Sequence, residues 1–154
     1  MKRISLILVF MFMMATFSYA QLEKLDLAYK TAVGVRYTPF GVSLKINSSY
    51  KKRSSEIIGY FKDGFVGSYL YYWNFTLDRN YTMRFYVGGG LQGGYKNTDD
   101  GNYGMGGPTG VIGLDYKFKS LPINLSADWQ PAYQIGQASE FKGNYGGVAV
   151  RFAF

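Results

Sequence analysis

Apolar and polar residues alternate with a period of two along nearly the whole chain after residue 20. Leu121, Ile123, Leu125, Ala127 and Trp129 fall on one face of an extended strand, with Asn124, Ser126, Asp128 and Gln130 on the other. Val148, Val150, Phe152 and Phe154 alternate with Gly147, Ala149, Arg151 and Ala153, and Ile112, Leu114, Tyr116 and Phe118 with Gly113, Asp115 and Lys117. The same split sets Met83, Phe85, Val87 and Leu91 against Arg84, Gly88, Gly90 and Gln92. Near the start, Val33, Val35 and Tyr37 oppose Gly34 and Arg36, while Val42, Leu44 and Ile46 oppose Ser43 and Lys45. Strands, not helices, are therefore expected throughout. Between 65 and 74 the face is ambiguous, because Phe65, Gly67, Tyr69, Tyr71 and Trp73 compete with Val66, Ser68, Leu70, Tyr72 and Asn74 for the outside.

Turn-forming residues cut the alternation into eight strands near 29–38, 41–47, 54–62, 65–74, 81–95, 107–118, 121–133 and 144–154. The links are Pro39-Phe40, the basic stretch 48–53, Lys62-Asp63-Gly64, 75–80, the Gly/Asn/Asp segment 96–106, Lys119-Ser120 and 134–143. An even strand count with both chain ends on one side is what a closed up-and-down barrel requires.

The first 20 residues stand outside this pattern. Lys2 and Arg3 precede an apolar run of 14 residues, Ile4 to Phe17, and Ser18-Tyr19-Ala20 places small residues at the −3 and −1 positions of a cleavage site. The run falls short of the roughly 20 residues that span a bilayer as a helix. A secretory signal peptide over 1–20 is expected, exported through the Sec pathway and cleaved to leave Gln21 at the start of a barrel domain over 21–154. Cleavage takes the formal net charge from +7 to +5. The basic excess is spread along the chain without a recognition motif, so nucleic acid is not an expected partner.

Which face of the barrel is greasy decides between a soluble lipocalin-like barrel and a membrane one. The polar faces carry Arg36, Lys45, Glu56, Arg84, Asp115, Lys117, Asp128 and Arg151 interleaved with Gly, Ala and Ser, a mixture suited to a cramped interior. The apolar faces are broad, aromatic and almost free of charge, as a lipid-facing surface must be when a charge there costs about 2–4 kcal/mol. Those eight charged residues are expected to form an interior network, with Asp128 beside the strand of Arg151, Asp115 between the strands of Arg84 and Asp128, and Glu56 one strand from Lys45. Tyr29, Tyr37, Phe40, Tyr72, Trp73, Phe75, Tyr81, Tyr95, Phe118, Trp129, Tyr133, Phe152 and Phe154 lie near strand ends, where membrane barrels carry aromatic girdles.

Composition narrows the chemistry. The chain is 47% hydrophobic with 29 aromatics, so it folds, and it has neither Cys nor His. Disulfides, thiolate metal sites, thiol nucleophiles and Ser-His-Asp triads are excluded, and no catalytic residue, metal ligand or cofactor is expected. Gly88-Gly89-Gly90-Leu91-Gln92-Gly93 satisfies G-x-G-x-x-G, but no helix follows to meet a pyrophosphate. A steric role, letting neighbouring groups approach, is expected instead. Asp99-Asp100-Gly101-Asn102 reads as a solvated turn rather than a Ca²⁺ loop. The N-x-S/T matches at Asn47, Asn74, Asn80 and Asn124 are acceptors only in a eukaryotic secretory pathway and are discounted.

The segments AVGVRYTPFGVSLK (32–45), FYVGGGLQGG (85–94), GVIGLDYKF (110–118), LPINLSADWQP (121–131) and GGVAVRF (146–152) resemble small, mostly uncharacterised outer-membrane β-barrel proteins of Gram-negative bacteria. These are similar in plan to OmpX and the OmpA membrane domain. The last strand, with Val148, Val150, Phe152 and the terminal Phe154, resembles the C-terminal signature by which such barrels are recognised for assembly. The resemblance implies an all-β, eight-stranded antiparallel up-and-down transmembrane β-barrel in the cell outer membrane, a monomer whose partners are membrane lipid and the barrel-assembly machinery. It places the links 96–106 and 134–143 outside, free to touch an external ligand, and implies no reaction. A narrow pore or a small-molecule-binding barrel is the alternative role. Lipid-modifying barrel enzymes of the palmitoyltransferase, deacylase or omptin type use His, which this chain lacks.

Overall fold

A computed structural model of the chain describes residues 29–48, 52–62, 64–78, 82–98, 101–136, 139–143 and 145–154. The signal-peptide reading of 1–20, Tyr81, Asn80 and the Asp99-Asp100 pair lie outside the described residues. Ten strands follow in order: β1 Thr31–Tyr37, β2 Gly41–Asn47, β3 Arg53–Tyr60, β4 Gly64–Thr76, β5 Met83–Thr98, β6 Gly101–Lys117, β7 Ile123–Trp129, β8 Ala132–Gln134, β9 Glu140–Lys142 and β10 Gly146–Ala153. Consecutive strands pair antiparallel from β1 through β7, and β7 pairs with β10, which pairs back with β1. The result is a closed up-and-down barrel of eight staves, the expected fold. At the seam, the amides of Lys30 and Thr31 both donate to the Phe154 carbonyl at 3.1 and 2.9 Å.

The start of β1, the end of β10 and the β2–β3, β4–β5 and β6–β7 links share one end of the barrel, the base. The β1–β2, β3–β4 and β5–β6 links and the β8–β9 hairpin share the other, the mouth. Two expected mouth links prove to be structured. Segment 96–106 is the tip of a hairpin whose ladder runs from Met83↔Tyr116 to Thr98↔Gly101. Its glycines and asparagines look like turn residues singly, yet paired across two arms they satisfy each other's backbone groups. Segment 134–143 contains the end of β8 and all of β9, folded against the far part of β6 through Thr109↔Ala132 and Gly106↔Ile135. The strand expected over 121–133 breaks between β7 and β8 at Gln130-Pro131. Pro131 has no amide to donate, so only its carbonyl is used, accepting from the Gly110 amide at 2.8 Å.

Alternation sorts the side chains cleanly. Val35, Ile57, Leu91, Ile112 and Val150 point outward and are largely exposed, whereas Arg36, Glu56, Asp115 and Arg151 point inward and are 1% exposed or less. Among the outward positions of the eight staves only Arg53, at the base rim, is charged. On β4 the ambiguity resolves with Phe65, Tyr69 and Trp73 outside and Val66, Leu70 and Tyr72 inside. Outward rings gather toward the base as the pairs Phe75–Phe85, Tyr116–Phe118 and Phe152–Phe154, with centroids 4.9 to 6.2 Å apart.

Two parts of the sequence reading are corrected. Tyr29 and Tyr72 belong to the interior, not to a girdle, because each shares its inward direction with a charge it bonds. The interior is also not uniformly polar. Ile58, Tyr60, Val66, Leu70, Tyr72, Tyr86, Met105 and Val111 form a buried apolar cluster inside the wall. Ile58 must point inward because Glu56 does, two residues earlier on the same strand.

Candidate functional site

The inward charges meet in three linked centres. Asp115 on β6 accepts from Lys45 Nζ at 2.7 Å, Arg84 Nη2 at 2.6 Å, Asn124 Nδ2 at 2.9 Å and the Tyr29 hydroxyl at 3.1 Å. Asp128 on β7 takes both terminal nitrogens of Arg36, the Tyr86 hydroxyl at 2.8 Å and Gln130 Nε2 at 3.0 Å. Glu56 on β3 pairs with Arg151 and accepts from the Tyr72 hydroxyl at 2.9 Å.

Neutral groups join the centres. Arg151 also donates to Ser43 and Ser126 at 2.7 Å and to Asn124 Oδ1 at 3.3 Å, and Asn124 in turn holds Asp115. The Tyr72 and Tyr86 rings, which serve Glu56 and Asp128, stack with centroids 4.7 Å apart. Lys45 lies over the faces of Tyr29, Tyr72 and Tyr86 at 5.3 to 5.7 Å, where ring quadrupoles attract its charge. Every stave contributes a member, so the network ties the wall together across the axis.

Glycine makes room for it. A Cβ at Gly113 would lie 2.5 Å from Asp128 Cβ and 2.7 Å from Tyr86 Cζ, so glycine lets that ring reach its carboxylate. A Cβ at Gly88 would lie 2.5 Å from the Cα and Cβ of Tyr72. The G-x-G-x-x-G segment sits inside β5, with no helix to open.

Of the eight charges singled out in the sequence, the structure brings seven together. Lys117 is the exception: it lies at the base rim of the inward face and donates to the carbonyls of Phe118 and Leu121 at 2.7 and 2.6 Å, fastening the β6–β7 link. The pairings also differ from those expected of strand neighbours. Arg84 does bond the residue opposite it, Asp115. Lys45, opposite Glu56, goes instead to Asp115, and Arg151 reaches Glu56 rather than Asp128. Long cationic stems cross a narrow lumen as readily as they reach the adjacent strand. Sequence reasoning missed the tyrosine members; their signal was parity, since Tyr86 follows Arg84 by two and Tyr72 shares the face of Ser68 and Asn74.

These seven residues are four cations, Arg36, Lys45, Arg84 and Arg151, against three carboxylates, each in an ion pair, with the Nε of Arg36 and of Arg84 left buried and unbonded. None of these three carboxylates has a water-exposed edge, and among the described residues no group of three or more His, Cys, Asp or Glu could hold a metal ion. The arrangement ties the strands together across the lumen. At the C-terminus Val148, Val150 and Phe154 are exposed on the outer wall, in a row with Phe152.

No family model matches the sequence, and no curated protein matches it. Among solved structures the chain is similar to the N-terminal β-barrel domain of Pseudomonas aeruginosa OprF, with a TM-score of 0.56 at 19% identity, covering 80% of this chain and 93% of that one. The likeness is one of fold.

Proposed function

We propose that this protein is an integral outer-membrane β-barrel with a structural or surface-interaction role, a sealed charged interior and no catalysis. One observation carries the reading: the outward face of the staves is apolar and bears a single charge, at the rim, while seven charges of the strands turn inward into a network of ion pairs. Water would not favour that inversion, whereas lipid demands it. In this setting the chain is exported through the Sec pathway, handed to the barrel-assembly machinery through the outward row Val148, Val150, Phe152 and Phe154, and stands as a monomer in lipid. The tip of the β5–β6 hairpin and the β8–β9 hairpin, covering 96–106 and 134–143, are the surfaces offered to an external ligand.

The test is cell fractionation with gel mobility and planar-bilayer recording. The protein is expected in the outer-membrane fraction, to migrate faster unheated than boiled, and to give no conductance steps, because the ion pairs fill the lumen. A product that stays in solution without detergent would overturn the membrane reading, and regular conductance steps would replace the sealed interior with a narrow pore.

A further inference from the structure

We propose that the mouth of the barrel holds a binding site for a phosphate monoester. A cavity of about 560 Å³ opens there, walled by the rings of Tyr37, Phe40 and Tyr145 and bearing Lys62, Lys96 and Lys142. That size is within the range of small-molecule sites. Lys142 is paired with Glu140. Lys62 and Lys96 have no ion-pair or hydrogen-bond partner among the described residues, and no described carboxylate lines the cavity. Two cations without a carboxylate partner among the described residues match the charge of about −1.5 to −2 that a phosphate monoester carries at neutral pH.

A second observation is independent of the lysines. Gln92 lines the same cavity with its amide nitrogen buried and unbonded, a donor waiting for an oxygen. Leaving such a group unpaired is costly, typically about 1–3 kcal/mol, and a phosphate oxygen would pair it once the side chain turns into the cavity. The floor is rigid, since the Tyr60 hydroxyl donates to Gln130 Oε1 at 2.8 Å and Gln130 is anchored on Asp128. Charge and an orphaned donor therefore converge on one walled space, whose rings suit a compact carbon skeleton behind the phosphate. The monoester could be that of a soluble small molecule or of a lipid headgroup.

The site rests on the proposed membrane reading only for the compartment that supplies the ligand. The test is calorimetric titration of the mature protein in non-ionic detergent with glucose 1-phosphate, glucose, and phosphatidic acid in mixed micelles. Glucose 1-phosphate is expected to bind and glucose not to, with affinity falling as salt rises. Phosphatidic acid binding alone would support the site and assign it to a headgroup. The Lys62→Gln/Lys96→Gln double variant is expected to lose at least tenfold and Gln92→Leu several-fold, while Lys119→Gln, at the base, keeps full affinity; unheated gel mobility checks that each variant is folded. Equal heats for glucose and its phosphate, undiminished binding by the double variant, or no binding of either phosphate at millimolar concentration would overturn the proposal. Binding that persists while Lys62 resists a membrane-impermeant amine reagent on intact cells supports the site and overturns only the outward placement of the mouth.

Discussion

Arg151 aims each guanidinium nitrogen at a different strand: Nε at Ser43 on β2, Nη2 at Glu56 on β3, and Nη1 at Asn124 and Ser126 on β7. Removing it leaves Glu56 buried with only a tyrosine hydroxyl, and stranding one partner of a buried pair costs about 3–5 kcal/mol. Arg151→Leu and Asp128→Leu are each expected to lower barrel stability by that order, read by urea unfolding in micelles followed on unheated gels. The Glu56→Leu/Arg151→Leu double variant is expected to lose less than the sum of its singles, since neither charge is then left alone. Unchanged unfolding in both single variants would mean that the network contributes nothing. Gly113→Ala tests packing rather than charge: its Cβ would meet the Ala127 carbonyl at 2.6 Å as well as Tyr86, so a clear loss of stability is expected on the same gels. Direction was legible at this scale and partner choice was not. Alternation put Arg36, Glu56 and Arg151 on one side of the wall, but which stem meets which carboxylate depends on reach across the lumen, a distance no local spacing encodes.

At the scale of strands, the rule of two holds best where one face is uniformly apolar. β1, β2 and β10 fall within two residues of their expected limits, and so do β3 and β4. It fails where composition imitates a turn, as in the hairpin tip of β5 and β6, and where a single Pro131 interrupts an otherwise good pattern. β3 and β4 carry apolar residues on both faces, so the inward cluster around Ile58 and Leu70 could not be separated from the outer wall by pattern alone. Two outcomes belong to the strands. Val35→Arg sets a charge on the outer wall beside Val42 and Val150, and under the proposed membrane setting is expected to cost about 2–4 kcal/mol of folding into lipid vesicles. A soluble barrel would tolerate it with little change. Deleting Phe154 removes the ring beside Phe152 and is expected to reduce the outer-membrane yield of the protein, measured by fractionation; normal assembly of the shortened chain would argue against the terminal row as a signal.

For the molecule as a whole, an interior crossed by ion pairs and an apolar outer wall make one closed cylinder. A conductance that appears only when Arg36 and Asp128 are both replaced by Ala would identify their pair as part of the seal. The way the wall closes has a further consequence. Its last joint is between β1 and β10, the first and final strands, and is completed by the terminal Phe154 carbonyl. Until β10 docks between β1 and β7, the unfinished wall carries two raw hydrogen-bonding margins. A chain that lacks β10 would leave both margins open, a ready template for pairing with another strand.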